Sequence, residues 1–366
     1  MRIAQVAPLY ESVPPRLYGG TERVVSWLTE ELVALGHEVT LFASGDSVTN
    51  ARLVPGSTQA LRLDPNCMDS LAHHILMVER VYEQAEEFDL IHFHIDYIHF
   101  PLSRREQVPC VSTLHGRLDL PDLVPLYKEF LDMPLVSISD AQRKPLPWAN
   151  WVGTVHHGLP GSALSLQDGR GDYLAFLGRI SPEKGLDQAI EIAIRSGMRL
   201  KVAAKIDRAD LDYFEKKIKP LFEHPLIEFI GEIGHSEKGD FLGNAAALLF
   251  PIDWPEPFGL VTIEALASGT PVIAHPYGSV PEIIPDGVCG FHVQDVEEAV
   301  DAVHRIGEID RRECRRHFEL NFTAQRMARD YAKLYQQLAH PTSASNSVAE
   351  GVLNWMEAES PTPSTT

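Results

Sequence analysis

Twice along the chain, short runs of apolar and β-branched residues alternate with segments whose apolar residues recur at helical spacing, and nothing else in the sequence restricts the fold as much. Parallel strands cannot be joined by a tight turn. A helix has to carry the chain back across the sheet, so regular alternation implies a parallel, doubly wound sheet. The first series has strand-like runs at residues 2–7, 38–43, 90–95, 110–114, 135–138 and 152–156, with helical segments at 21–35 and around 68–87. GLPGSALSLQDGRG, residues 158–171, breaks the period and reads as a linker. In the second series strands are expected at 173–178, 199–204, 227–230, 247–251 and 271–274, and helices at 182–196, 209–221, 236–243, 259–268, 296–304 and 323–338. The expected fold class is α/β: two Rossmann-like doubly wound domains, residues 1–160 and 172–320, facing a central cleft. Residues 341–366 are rich in Ser, Thr and Pro and are expected to be disordered, apart from a turn of helix around 348–357.

A length of 366 residues favours two domains over one. The net charge of -19 repels nucleic-acid backbones and anionic membranes over most of the surface, so an anionic ligand needs local cations. RRECRR, residues 311–316, is the local basic cluster that runs against this trend. The four cysteines are scattered, with no CxxC pair, which fits neither a disulfide framework nor a thiolate metal cage. No secretory signal or membrane-spanning run is visible, and the expected location is the cytoplasm.

Ligands of open α/β sheets sit beyond the carboxyl ends of the strands, which directs attention to five loops. Arg179 and Lys184 flank a strand-to-helix turn, so two cations and free amides at a helix start near Pro182 make an anion site; solvated loop charges are the ordinary alternative. In PEPFGLVTIEAL, Glu256 precedes a helix starting at Phe258-Gly259 and Glu264 lies about one and a half turns inside it. Such carboxylates suit two hydroxylated parts of one ligand, whereas each alone is as well explained by a cap or a surface ion pair. HPYGSVPE, residues 275–282, presents a Gly-Ser turn that would lie over a ligand. Tyr18-Gly19-Gly20-Thr21-Glu22 lets backbone approach a phosphate or sugar, and His115, before Gly116 at a strand tip, is a hydrogen-bonding group for a hydroxyl or a phosphate or else a structural histidine. His92, His94 and Asp96 alternate along a strand and are tested as a metal cluster; no further ligand is specified nearby, and no metal is expected.

Together these loops resemble the retaining nucleotide-sugar glycosyltransferases of the GT-B fold, glycosyltransferase family 4 (glycosyl transferases group 1). The resemblance is carried by Gly19-Gly20-Thr21-Glu22 with GHEVTLFA, DLIHFH, Leu114-His115-Gly116, Gly178-Arg179 with Lys184-Gly185, and EPFGLVTIEALASGTPVIA followed by PEIIPDGVCGF. It implies an acceptor-side first domain, a donor-binding second domain, and a helix within residues 321–340 that crosses back to the first. Arg179 and Lys184 would meet the diphosphate, Glu264 the ribose and Glu256 the transferred sugar, with Phe258, Gly259 and Leu260 at the donor and Gly19 and Gly20 approaching the phosphates. His115 would lie near the reacting sugar. The implied activity is retaining, metal-independent transfer of a hexose from a nucleotide-diphosphate sugar to a hydroxyl of a small molecule or glycan, with catalytic roles for Glu256, His115, Arg179 and Lys184, no cofactor and no nucleic-acid partner. Alternatives are a sugar-nucleotide epimerase or phosphorylase of the same fold, or a non-catalytic sugar-nucleotide-binding protein. Departures from the family pattern are His157-Gly158 in place of Asn-Gly, Lys205 at a strand end where glycine is usual, and Trp254-Pro255 before Glu256.

Overall fold

The computed structural model describes residues 1–16, 19–167, 169 and 171–340. Tyr18 of the opening loop and the tail from residue 341, with its expected turn of helix, lie outside them. The strands are β1 (Arg2–Val6), β2 (Glu38–Ser44), β3 (Arg52–Ser57), β4 (Leu90–Phe93), β5 (Cys110–Thr113), β6 (Leu135–Ser137) and β7 (Trp151–Thr154), then β8 (Tyr173–Arg179), β9 (Arg199–Lys205), β10 (Ile227–Gly231), β11 (Ala247–Phe250), β12 (Val272–Ala274) and β13 (Gly290–His292). They form two sheets, ordered β3-β2-β1-β4-β5-β6-β7 and β10-β9-β8-β11-β12-β13, with every pairing parallel. Both faces of a parallel sheet are covered, which is why β8 and β11 read as unbroken apolar runs: Leu174, Ala175, Phe176, Leu248 and Leu249 are all buried.

Three expectations change. The helix expected over residues 182–196 begins only at Leu186. Pro182–Lys184 is a single tight turn, and Gly185 follows in the left-handed region at φ 67°. A Cβ on Gly185 would sit 2.0 Å from the Pro251 carbonyl oxygen, so close strand packing, beyond local propensity, breaks the helix. The segment 209–221 is a succession of short turns, because Pro220 cannot donate an amide hydrogen to a regular helix. The helix Arg311–Asn321, absent from the sequence reading, buries Cys314 and Phe318.

This helix also absorbs two of the four arginines of the basic cluster. Arg311 donates to the carbonyl oxygens of Gln167, Gly243 and Ala245, and Arg315 to those of Gly161, Leu164 and Ala267. Two arginines thus satisfy the C-terminal carbonyls of the helices His235–Gly243 and Leu260–Ala267 and pin the linker beneath them, and they are not a surface for anionic lipid. The last helix, Ala324–Ala339, packs on the first sheet, where Tyr331 and Tyr335 reach hydrogen-bond partners on β5, β1 and β4. No described helix is long and apolar enough to cross a membrane.

Candidate functional site

A cavity of about 570 Å³ lies between the two sheets. Its wall follows the carboxyl ends of strands from both: Ile95 after β4, His115 after β5, Ile138 after β6, Arg179 ending β8, Lys205 ending β9 and Ile233 after β10. The sequence-derived site residues Gly19, Gly20, His115, Arg179, Lys184, Glu256, Phe258, Gly259, Leu260 and Glu264 all line it. Gly20 opens the helix Gly20–Ala34 directly opposite Leu260, whose Cδ1 would stand 3.5 Å from a Cβ on that glycine.

On the side of the second sheet the cavity is built from paired charges. Lys184 Nζ donates to Glu256 Oε2, which also accepts a 2.8 Å bond from the Trp254 indole nitrogen, and the Lys184 ammonium lies 5.3 Å from the Trp254 ring centroid. Trp254, a departure from the family pattern, thus orients Glu256 through its indole N–H. The fifth residue of the helix Leu260–Ala267, Glu264, is almost wholly buried and bonds Lys238 Nζ at 2.7 Å. A buried carboxylate of this kind requires a counter-charge. Lys238 is a charged cavity residue that the sequence reading missed, since nothing in the pattern of the helix His235–Gly243 marks it. Arg179 does not stand as a free cation at a helix start. It bonds Glu183 at 2.7 Å and faces Asp207 and Asp210 at 3.7 and 3.8 Å, while Lys205 bonds Asp207 at 3.0 Å. The 275–282 loop does not line the cavity. Ser279 instead donates its amide to the Glu256 carbonyl and its hydroxyl to the Phe258 carbonyl, so the loop supports the backbone of the Glu256 turn from behind.

On the side of the first sheet the cavity sets buried imidazoles beside the charged residues Glu22, Arg23, Arg62 and Asp96. His92 and His94 are side by side on β4 and its end, ring centroids 4.0 Å apart, but the strand stops before Asp96, which sits at φ 52°. The three residues tested as a metal cluster are therefore not brought together as a triplet. Both imidazoles are bonded instead: His92 to Tyr335 and Thr113, His94 to Gln5 and His115, all between 2.7 and 2.9 Å. Among the described residues no group of three or more His, Cys, Asp or Glu is placed to hold a metal ion. Burial pushes His92, His94 and His157 well below the ordinary histidine value and His115 down to about 3, and it raises Asp96, which lines the cavity, to about 6. His157, where the family pattern has asparagine, stacks against His115 at 5.2 Å and meets the Phe258 ring edge-on at 4.8 Å.

The halves touch directly around this floor. Ser139 Oγ donates to the Pro257 carbonyl at 2.7 Å, and the Glu282 carboxylate accepts the Asp140 and Ala141 amides. Arg23, on the first helix, has its guanidinium lowered by burial and feels the Glu264 carboxylate across the cleft.

Family models match two stretches: Glycosyltransferase Family 4 over residues 18–160 and Glycosyl transferases group 1 over residues 165–321. An uncharacterized glycosyltransferase of Methanocaldococcus jannaschii is 24% identical over 342 residues, spanning 80% of this chain and 85% of its own. Among solved structures, sucrose-phosphate synthase from Thermosynechococcus elongatus superposes with a TM-score of 0.77 at 20% identity, covering 92% of this chain and 99% of that one. Anabaena HepE, solved in complex with UDP and glucose, superposes at 0.72 with 17% identity, covering 92% and 100%.

Proposed function

Because the chain belongs to the family 4, group 1 glycosyltransferases and has their GT-B fold, we propose that it is a retaining, metal-independent enzyme moving a hexose from a nucleotide-diphosphate sugar to a hydroxyl acceptor. The observation that carries this reading is the Lys184–Glu256 ion pair, set at the cavity wall with Trp254 fixing its carboxylate. Donor binding exchanges that pair for two contacts at once: the ammonium turns to a diphosphate oxygen and the carboxylate accepts hydroxyls of the sugar. Arg179 adds a second cation at the diphosphate, Glu264 takes the ribose hydroxyls through the oxygen that Lys238 leaves open, and Gly20 brings backbone toward the phosphates. No cofactor enters this scheme; the sugar nucleotide is the substrate.

Departure of the nucleoside diphosphate breaks the bond from the anomeric carbon to the phosphate oxygen, leaving negative charge on phosphate and positive character on the sugar. Preformed cations at the phosphate lower that barrier, and in this scheme they supply the charge compensation for which other enzymes use a metal. The acceptor oxygen then bonds the anomeric carbon on the face the diphosphate vacates, and its proton passes to the departing phosphate oxygen. Glu256 positions the sugar and shields its charge. HepE was solved with UDP and glucose, which makes UDP-glucose the first donor to try. The test is proton NMR of the transfer product in the presence of EDTA: the anomeric configuration of the donor should persist and the rate should not fall. An inverted product, or a rate abolished by the chelator, refutes the corresponding part of the proposal.

A further inference from the structure

Beneath His115 runs a chain of hydrogen bonds leading away from the cavity. His115 Nε2 is 2.9 Å from His94 Nδ1, and His94 Nε2 is 2.8 Å from Gln5 Oε1. The Gln5 amide nitrogen donates to the Tyr335 hydroxyl at 3.1 Å, Tyr335 is 2.7 Å from His92 Nδ1, and His92 Nε2 is 2.7 Å from Thr113 Oγ1. Each bond needs one hydrogen, and a neutral imidazole carries only one N–H, so fixing one member fixes its neighbours. The Gln5 carbonyl oxygen only accepts, which puts the His94 proton on Nε2 and leaves a lone pair on His94 Nδ1. His115 must then donate from Nε2, and its Nδ1 is bare. The far branch agrees: Gln5 donates to Tyr335, Tyr335 to His92 Nδ1, and His92 from Nε2 to Thr113. His115 Nδ1 has no hydrogen-bond partner among the described residues and is itself covered, although the residue lines the cavity. A bare acceptor tolerates that better than an orphaned N–H does.

We propose that Gln5, acting through His94, is a positioning residue that locks His115 as the Nε2–H tautomer, leaving Nδ1 an acceptor that a ligand hydroxyl satisfies only after a local shift uncovers it and that cannot hydrogen-bond an ionised phosphate oxygen. The second half rests on the nucleotide-sugar reading above; the first does not. It decides between the two ligand groups that the sequence leaves open for His115. It also gives the crossing helix a task at the site, since Tyr335 orients the amide that orients the two rings.

The experiment is nitrogen-15 NMR of the full chain labelled at histidine, with the His115 signals assigned by their loss in His115→Gln, combined with binding of UDP, ADP and GDP and with turnover. In the wild type, His115 should show its one-bond N–H correlation at Nε2 and none at Nδ1. Gln5→Met should mix the tautomers and lower turnover about tenfold, roughly the worth of one hydrogen bond, with nucleoside diphosphate affinity kept within about twofold. Gln5→Glu keeps an acceptor facing His94 and should retain the wild-type tautomer, which serves if Gln5→Met folds poorly. A protonated Nδ1 in the wild type, or an unaltered tautomer in Gln5→Met, overturns the proposal with nucleotide binding intact. Failure of all three nucleotides to bind the wild type instead removes the donor reading and the ligand half of the inference together.

Discussion

The two walls of the cavity solve the same problem, polar groups out of bulk water, in opposite ways. The second-sheet wall pairs full charges, Lys184 with Glu256, Lys238 with Glu264 and Arg179 with Glu183. The first-sheet wall sets the buried imidazoles of His94, His115 and His157 at the cavity with His92 behind them, all held below the ordinary histidine value by burial, beside the charged Glu22, Arg23 and Asp96. A charge pair can be exchanged for a charged ligand at little net cost, whereas a neutral network offers fixed donors and acceptors. Under the proposed function, the paired charges receive the ionic end of a ligand and the imidazoles its hydroxyl end.

The strongest way to break this contrast is to remove a charge. Lys184→Ala and Glu256→Ala should each lower kcat/KM by about 100-fold or more, the scale of losing one preorganised electrostatic group, with circular dichroism unchanged. Loss of the same size in donor affinity alone would mean that the pair binds without assisting the reaction. Next, Gly278→Ala should damage the charged wall from behind: a Cβ there would lie 2.2 Å from the Glu256 carbonyl oxygen, at φ 57°, so a loss of about 2 kcal/mol in urea titration is expected together with reduced turnover. Lys238→Met should raise the donor KM about tenfold with kcat nearly kept and Lys238→Arg largely restoring it, because Glu264 then faces the ligand without its counter-charge.

The neutral wall predicts an acid sensitivity. Below pH 6.5 the unfolded chain protonates these histidines while the folded one does not, so stability present at neutral pH is lost as pH falls from 6.5 toward about 3, where folded His115 titrates. Each fully buried imidazole contributes a slope of about 1.4 kcal/mol per pH unit. The Tm should fall steadily between pH 6.5 and 5, and His94→Gln should flatten the curve; a level profile would show that the rings take up protons when folded. The smallest effect is expected at the seam, where Ser139→Ala removes the bond to Pro257 and the cap on Gln142, costing about 1 kcal/mol by thermal unfolding.

Much of the architecture can be read directly from the chain because parallel strands, covered on both faces, are unbroken apolar runs, as in β8 and β11. β3 escapes notice: RLVPGS carries a proline, lies at the sheet edge and is half exposed. The helix Arg311–Asn321 escapes because it is mostly polar and anchors through arginines to carbonyl oxygens, a pattern hydropathy does not register. At the site, the spacing of Glu256 and Glu264 announces itself, since both belong to one loop and helix. Lys238, Gln5 and Tyr335 do not, because they reach their partners from elements 26, 89 and 243 positions away in the chain. Local pattern shows which residues share an element, and only packing shows which elements share a cavity.

If the charged wall acts on a sugar nucleotide, both its binding and its turnover depend on Lys184 and Glu256. The direct measurement is product formation from a panel of nucleoside-diphosphate hexoses, UDP-glucose included, by the wild type, Lys184→Ala and Glu256→Ala, with thermal shift run in parallel on each. The predicted result is a raised melting point and hexose transfer for at least one donor in the wild type, and transfer lost in both variants while their fold is kept. Transfer at the wild-type rate in both variants, or a wild type that binds none of the panel, would contradict it.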